Sequence, residues 1–159
     1  MRYKDFEGTL EELVEQKLQE IEEKEHVRIL HAVESGSRSW GFASPDSDYD
    51  VRFIYVRRPE DYLKLEPARD VIEWELDETL DINGWDLQKA LRQYHRSNST
   101  LFEWANSPVV YRTTEEWRQI HQAASVYFSE KAAMYHYYGT AKSNFLEFLQ
   151  GDTVKYKKY

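Results

Sequence analysis

Apolar residues recur along this chain with two periods, and each period predicts a different element. Leu10, Leu13, Val14, Leu18 and Ile21 stand three or four apart among acids. That spacing draws a single apolar stripe down a helix. Thr9-Leu10-Glu11-Glu12 opens it in capping-box form: the hydroxyl accepts an early N–H and the Glu reaches back. Such a helix packs and carries no chemistry. Residues 27–33 read as a mostly buried strand. His31 alternates there with Ile29 and Val33 and is expected to be a satisfied, partly buried histidine. Residues 48–56 read as a second strand, with Tyr49, Val51, Phe53 and Tyr55 on one face and Asp48, Asp50 and Arg52 on the other.

Residues 57–69 form an excursion off the sheet. Residues 71–76 and 79–83 predict two more strands, joined near Asp77-Glu78. Asp86 can cap a helix with Leu87, Ala90, Leu91 and Tyr94 on one side. Beyond residue 97 the period becomes helical. Thr100-Leu101-Phe102-Glu103 has capping-box form, and helices are expected at about 114–128 and 130–149. This order predicts an α+β fold, or a small α/β layer with a helical extension.

Composition narrows the picture. A chain of 159 residues suits one domain. Hydrophobic residues at 41% and charged residues at 31% exclude a disordered tail. No apolar run approaches the ~20 residues that span a bilayer, and no signal peptide opens the chain. A cytoplasmic protein with no membrane partner is expected. The absence of cysteine excludes disulfides, zinc-thiolate sites and a cysteine nucleophile. A net charge of −8 excludes a simple basic nucleic-acid coat. Residues 118–159 are the exception, with six bases against three acids.

The candidate chemistry lies between residues 36 and 50. Asp48 and Asp50 stand at i and i+2 of a strand and share a face. Left alone they repel, and a hard divalent cation such as Mg²⁺ resolves the conflict. Gly36 admits a phosphate close to the backbone, Ser37 offers a hydroxyl, and Arg38 can add a charge-assisted contact. A phosphate loop beside a carboxylate pair is the minimum equipment for moving a nucleotidyl group. Two-metal chemistry wants a third carboxylate. Asp81, between Leu80 and Ile82, is the natural candidate; Glu73 and Glu75 are rivals, and helix capping explains Asp86.

These residues carry a resemblance. Gly36-Ser37, then Asp48-x-Asp50, then Asp81 flanked by apolar residues resembles the signature of the DNA polymerase β nucleotidyltransferase superfamily. The text from Gly36 to Phe53, with 80–87, Glu103-Trp104, Ser107-Pro108 and Tyr135-His136-Tyr137-Tyr138, is similar to its RNA-repair-associated branch. The similarity covers about residues 25–159. It implies a short mixed β-sheet with helices on one side, followed by a C-terminal helical extension. It further implies a catalytic core over 1–97, with the N-terminal helix, and an extension over 98–159 that is incomplete, since family members run on past Tyr159. Asp48, Asp50 and Asp81 would hold two Mg²⁺ ions, with Mn²⁺ as a substitute, and Gly36, Ser37 and Arg38 would bind an NTP. The acceptor would be a hydroxyl on an RNA end, a protein or a small molecule.

Plainer readings stand beside these. Arg52 can be the structural partner of the carboxylates on its face. His95, His121 and His136 have no metal-like spacing; His136 could touch a base, though helical packing explains it. Trp85 and Trp104 suit a core. Lys155, Lys157 and Lys158 could meet RNA phosphates or form a frayed end. The rival functions are a non-catalytic nucleotide-binding or antitoxin-type module, and a nucleotide hydrolase.

Overall fold

The structure, a computed structural model, describes residues 6–43, 47–77 and 79–149. The Ser44-Pro45-Asp46 turn, Glu78 and the basic tail at Lys155, Lys157 and Lys158 lie outside the described residues. In chain order the elements are α1 (Leu10–Glu25), β1 (Val27–Glu34), α2 (Gly36–Ser39), β2 (Tyr49–Arg57) and α3 (Pro59–Tyr62). Then follow β3 (Val71–Asp77), β4 (Leu80–Asp86), α4 (Leu87–His95), α5 (Ser99–Ala105), β5 (Val110–Thr113), α6 (Glu115–Ala124) and α7 (Glu130–Phe148). A 3₁₀ turn at Ser125–Tyr127 follows α6. The α+β class and the closing helix are as the pattern predicts.

The five strands form one mixed sheet in the order β3-β4-β2-β1-β5. β2 runs parallel to β4; the other neighbours are antiparallel. Helices cover both faces of the sheet, not one. α1 seats Leu13, Val14, Leu18 and Ile21 on Ile29, Ala32, Val51, Phe53 and Ile82. α4, α5 and α6 bring Tyr94, Leu101, Trp104 and Trp117 against Leu30, Val33 and Ile54 on the opposite face. The cause lies in β1, where every residue except Arg28 is buried: such a strand needs a cover on each side. Each fully buried aliphatic side chain contributes about 1.5–3 kcal/mol gross. The second cluster joins residues from both sides of residue 97.

Local chemistry explains the helix starts. The Thr9 capping box forms, and the Asp86 carboxylate accepts the Gln88 N–H at 2.8 Å. The start of α5 departs from expectation. Asn98 is its N-cap, accepting from Leu101 N–H at 3.1 Å, and Thr100 lies inside the helix. An Asn preceded by Ser97 in the left-handed region (φ 53°) stops the chain before Thr100 is reached. β5 is a further departure, since only helices are expected beyond residue 97; Val109-Val110-Tyr111-Arg112-Thr113 is rich in β-branched and aromatic residues, and it pairs antiparallel with β1.

β1 holds a second departure. Its register slips between Ile29 and His31, leaving Leu30 as an extra residue. Ile29 therefore faces α1, whereas His31 turns to the other side and stacks on Trp117 at 5.1 Å. His31 is buried; Nδ1 lies 3.1 Å from Thr113 Oγ1 and Nε2 3.3 Å from the Trp104 carbonyl. The carbonyl can only accept, so Nε2 carries the proton of a neutral ring and Nδ1 accepts from the hydroxyl. Trp85 and Trp104 pack in the core, 4.2 Å apart. His136 is exposed, with an edge contact to Tyr137, so core packing does not account for it.

Candidate functional site

The pleat of β2 and β4 decides which side chains meet. Asp50 and Asp81 are register partners across the parallel pair, so their side chains leave the same face. Val51, Phe53, Leu80 and Ile82 point the other way, into the core under α1. α4 to α6 cover the far end of the carboxylate face and bury Ile54. They leave Asp50, Arg52, Asp81 and Asn83 half-buried at the near end.

Two adjacent carboxylates repel unless a cation lies between them. Arg52 fills that place. Its Nη2 donates to Asp81 Oδ2 at 2.7 Å and to Asp50 Oδ1 at 3.3 Å. Its Nη1 donates to the carbonyls of Val51 and Asp81 at 3.0 and 3.2 Å. The expectation that Arg52 is the structural partner of this face holds.

The turn after β1 lies against the pair. Ser35 N–H donates to the Asp50 carbonyl at 2.8 Å, and Gly36 follows with φ +65°, where a side chain is strained. A Cβ at Gly36 would fall 2.5 Å from Asp50 Oδ2. Ser37 follows Gly36 in the single turn of α2. Arg38 reaches back to the strand entrance. Its Nη2 donates to the Ser47 carbonyl at 2.6 Å, its Nε donates to the Asp48 carbonyl at 3.2 Å, and the guanidinium covers the Tyr49 ring at 3.8 Å. Arg38 thus braces the backbone that carries Asp48, whose own side chain is exposed.

Glu34 is the residue that pattern reading passed over. It is 1% exposed at the end of β1. Its Oε1 accepts the Asp50 N–H at 2.9 Å and its Oε2 accepts the Tyr111 hydroxyl at 2.7 Å. Ser107 Oγ donates to its carbonyl at 2.6 Å. Burial pushes the Glu34 carboxyl above the usual range, against the pull of those two donors. An acid closing an apolar strand just before Gly-Ser was the available signal. Asp86, by contrast, is occupied: besides the cap it accepts the Tyr62 hydroxyl at 2.9 Å. Glu73 is exposed opposite Asn83, and the side chain of Glu75 lies outside what is described.

The donors suit a hard cation. Asp50 and Asp81 offer oxygens that already share one positive group, and Asp48 stands two residues from Asp50 on the strand approach. Among the described residues no three acids or histidines form a finished metal cluster; Arg52 stands between the two carboxylates. Beside the turn lies a cavity of about 310 Å³, lined by Ser39, Trp40, Phe102, Glu103, Phe128 and Tyr137. α7 forms one wall of it and buries none of its own side chains.

Fold and site together describe an α+β protein with paired carboxylates and a glycine turn at one end of a mixed sheet. The pattern of the RNA repair pathway DNA polymerase beta family (RlaP) matches residues 10–159, and the chain belongs to that family. It is 49% identical over 146 residues to an uncharacterized protein, YcgL, of Bacillus subtilis strain 168. That match covers 89% of this chain and 55% of the relative, so the chain spans about half the relative's length. No helix among the described residues is long and apolar enough to cross a membrane.

Proposed function

We propose that the chain is a Mg²⁺-dependent nucleotidyltransferase of the DNA polymerase β superfamily. It moves NMP from an NTP to an acceptor hydroxyl with release of pyrophosphate. The observation that carries this reading is the register pairing of Asp50 with Asp81 against the Gly36 turn. Asp48, Asp50 and Asp81 would hold magnesium, or manganese in its place. When bound, the metal supplies charge neutralisation for the triphosphate and a lowered pKa for the acceptor hydroxyl. Gly36, with no Cβ, lets the Asp50 carboxylate close on the turn, and the Gly36 and Ser37 backbone with the Ser37 hydroxyl donate to phosphate oxygens. Arg38, held near Asp48, adds positive charge to that loop. Asp81, the more exposed of the register-paired acids, takes the proton of the attacking hydroxyl. The aromatic cavity beside the turn offers ring faces to the base. The family's name favours an RNA end as the acceptor, and a cytoplasmic location belongs to the same proposal.

The test supplies purified protein and Mg²⁺ with each of four labelled NTPs and a panel of acceptors that includes RNA with a free 3′ hydroxyl. Pyrophosphate release with label transfer is expected, and its loss in Asp50→Asn and Asp81→Asn. Equal transfer by wild type and both variants would defeat the proposal. NTP binding with no product under any acceptor would establish the non-catalytic module instead. NMP formed without an acceptor would establish a hydrolase.

A further inference from the structure

The opposite end of β2 carries a second polar cavity. From Asp50 to Arg57 the strand advances seven residues, about 23 Å at ~3.3 Å each, so this cavity is remote from the carboxylate pair. The 58–70 excursion and the start of α4 enclose about 620 Å³ there. Arg57, Lys64, Arg69 and Arg92 line it together with Asp61, Asp70 and Asp86.

Each of those acids is engaged. Asp61 pairs with Lys64 at 2.7 Å and Arg58 at 3.5 Å. Asp70 pairs with Lys89 at 3.4 Å. Asp86 caps α4 and accepts from Tyr62. The three arginines have no carboxylate among the described residues. Arg57 donates through Nη1 to the Glu25 carbonyl at 3.3 Å and through Nη2 to the Arg69 carbonyl at 3.2 Å, both neutral acceptors. Its Nε is buried and has no acceptor among the described residues. Among the described residues Arg92 donates to the Gln88 side-chain oxygen alone, at 3.4 Å. The frame is fixed: Tyr55 donates to the Arg69 carbonyl at 3.1 Å, and the Tyr62 hydroxyl accepts the Arg57 N–H at 2.9 Å.

A chain with net charge −8 thus gathers around one cavity three guanidinium groups that pair with no carboxylate among the described residues, although three acids share the lining. Forked N–H donors match phosphate oxygens, which supply both the missing charge and the missing acceptors. We propose that the cavity bounded by Arg57, Arg69 and Arg92 is a phosphate-binding site. It takes either a phosphodiester of a nucleic-acid strand or the phosphate of a small molecule. The site is independent of nucleotidyl transfer and needs neither metal nor NTP.

The full chain is titrated in EDTA without NTP. One arm follows a fluorescent single-stranded oligouridylate by anisotropy at two salt concentrations; the other follows inorganic phosphate and pyrophosphate by calorimetry. Arg69 and Arg92 are exposed, so Arg69→Glu with Arg92→Glu should melt as wild type does. Binding should weaken at least tenfold in that double variant and stay unchanged in Asp50→Asn. Oligonucleotide binding that inorganic phosphate does not displace, and that weakens with salt, identifies a strand as the source. Binding of phosphate or pyrophosphate with no added affinity for the strand identifies the small molecule. No binding in either arm overturns the proposal. So does binding indifferent to the double variant, or binding lost equally in Asp50→Asn.

Discussion

Gly36 lies so close to Asp50 that any side chain there would meet Oδ2 of the aspartate at 2.5 Å. The backbone at Gly36 is also left-handed, at φ +65°. Gly36→Ala therefore combines about 1–2 kcal/mol of backbone strain with a displaced carboxylate. The expected result is a melting temperature about 3–8 °C lower, and nucleotidyl transfer reduced more than the fraction unfolded explains. A variant that melts and turns over like wild type would show that the turn relaxes away from Asp50.

Arg52 neutralises two acids at once. Arg52→Met removes the guanidinium that Asp50 and Asp81 share, at an expected loss of about 1–3 kcal/mol in metal-free buffer. Millimolar Mg²⁺ should then raise the variant's melting temperature by more than it raises that of wild type. Equal responses to Mg²⁺ would mean that these carboxylates do not take up the cation.

Burial lowers His31 to about 4, from about 6.5 in the unfolded chain. Between those values the unfolded chain binds a proton that the folded chain refuses. Stability should fall as pH drops from 7 towards 4, by up to about 1.4 kcal/mol per unit from this group. Denaturant unfolding across that range checks it. His31→Gln, whatever its absolute stability, should show a shallower acid slope than wild type; parallel slopes would place the titration elsewhere.

The Phe53 ring lies on Gly84, its register partner in β4. A methyl group at 84 has no room without moving that ring out of the α1 cluster. Gly84→Ala should cost about 1–3 kcal/mol, read from denaturant midpoints, and leave NTP affinity unchanged. A neutral effect would reveal slack in the core under α1.

Elements that depend on neighbours in sequence were legible before folding was considered. The α1 stripe and its Thr9 cap, the alternation of Val51, Phe53 and Tyr55, and the Asp86 cap all follow from periods and side-chain reach within a few residues. The candidate acids could be named from strand alternation, which sets the face of Asp50, although β2 begins at Tyr49 and leaves Asp48 on its approach. Long-range pairing decided the rest. The Leu30 bulge turned His31 away from Ile29, and docking on β1 set the place and direction of β5 in the sheet. Asp50 meets Asp81 because the parallel register of β2 and β4 places residues 31 apart side by side. Glu34 reaches the Asp50 N–H by the same kind of cross-strand closure. Such contacts depend on which edges pair and at what offset. That choice is made by burying both faces of β1, and no local window of the chain contains it.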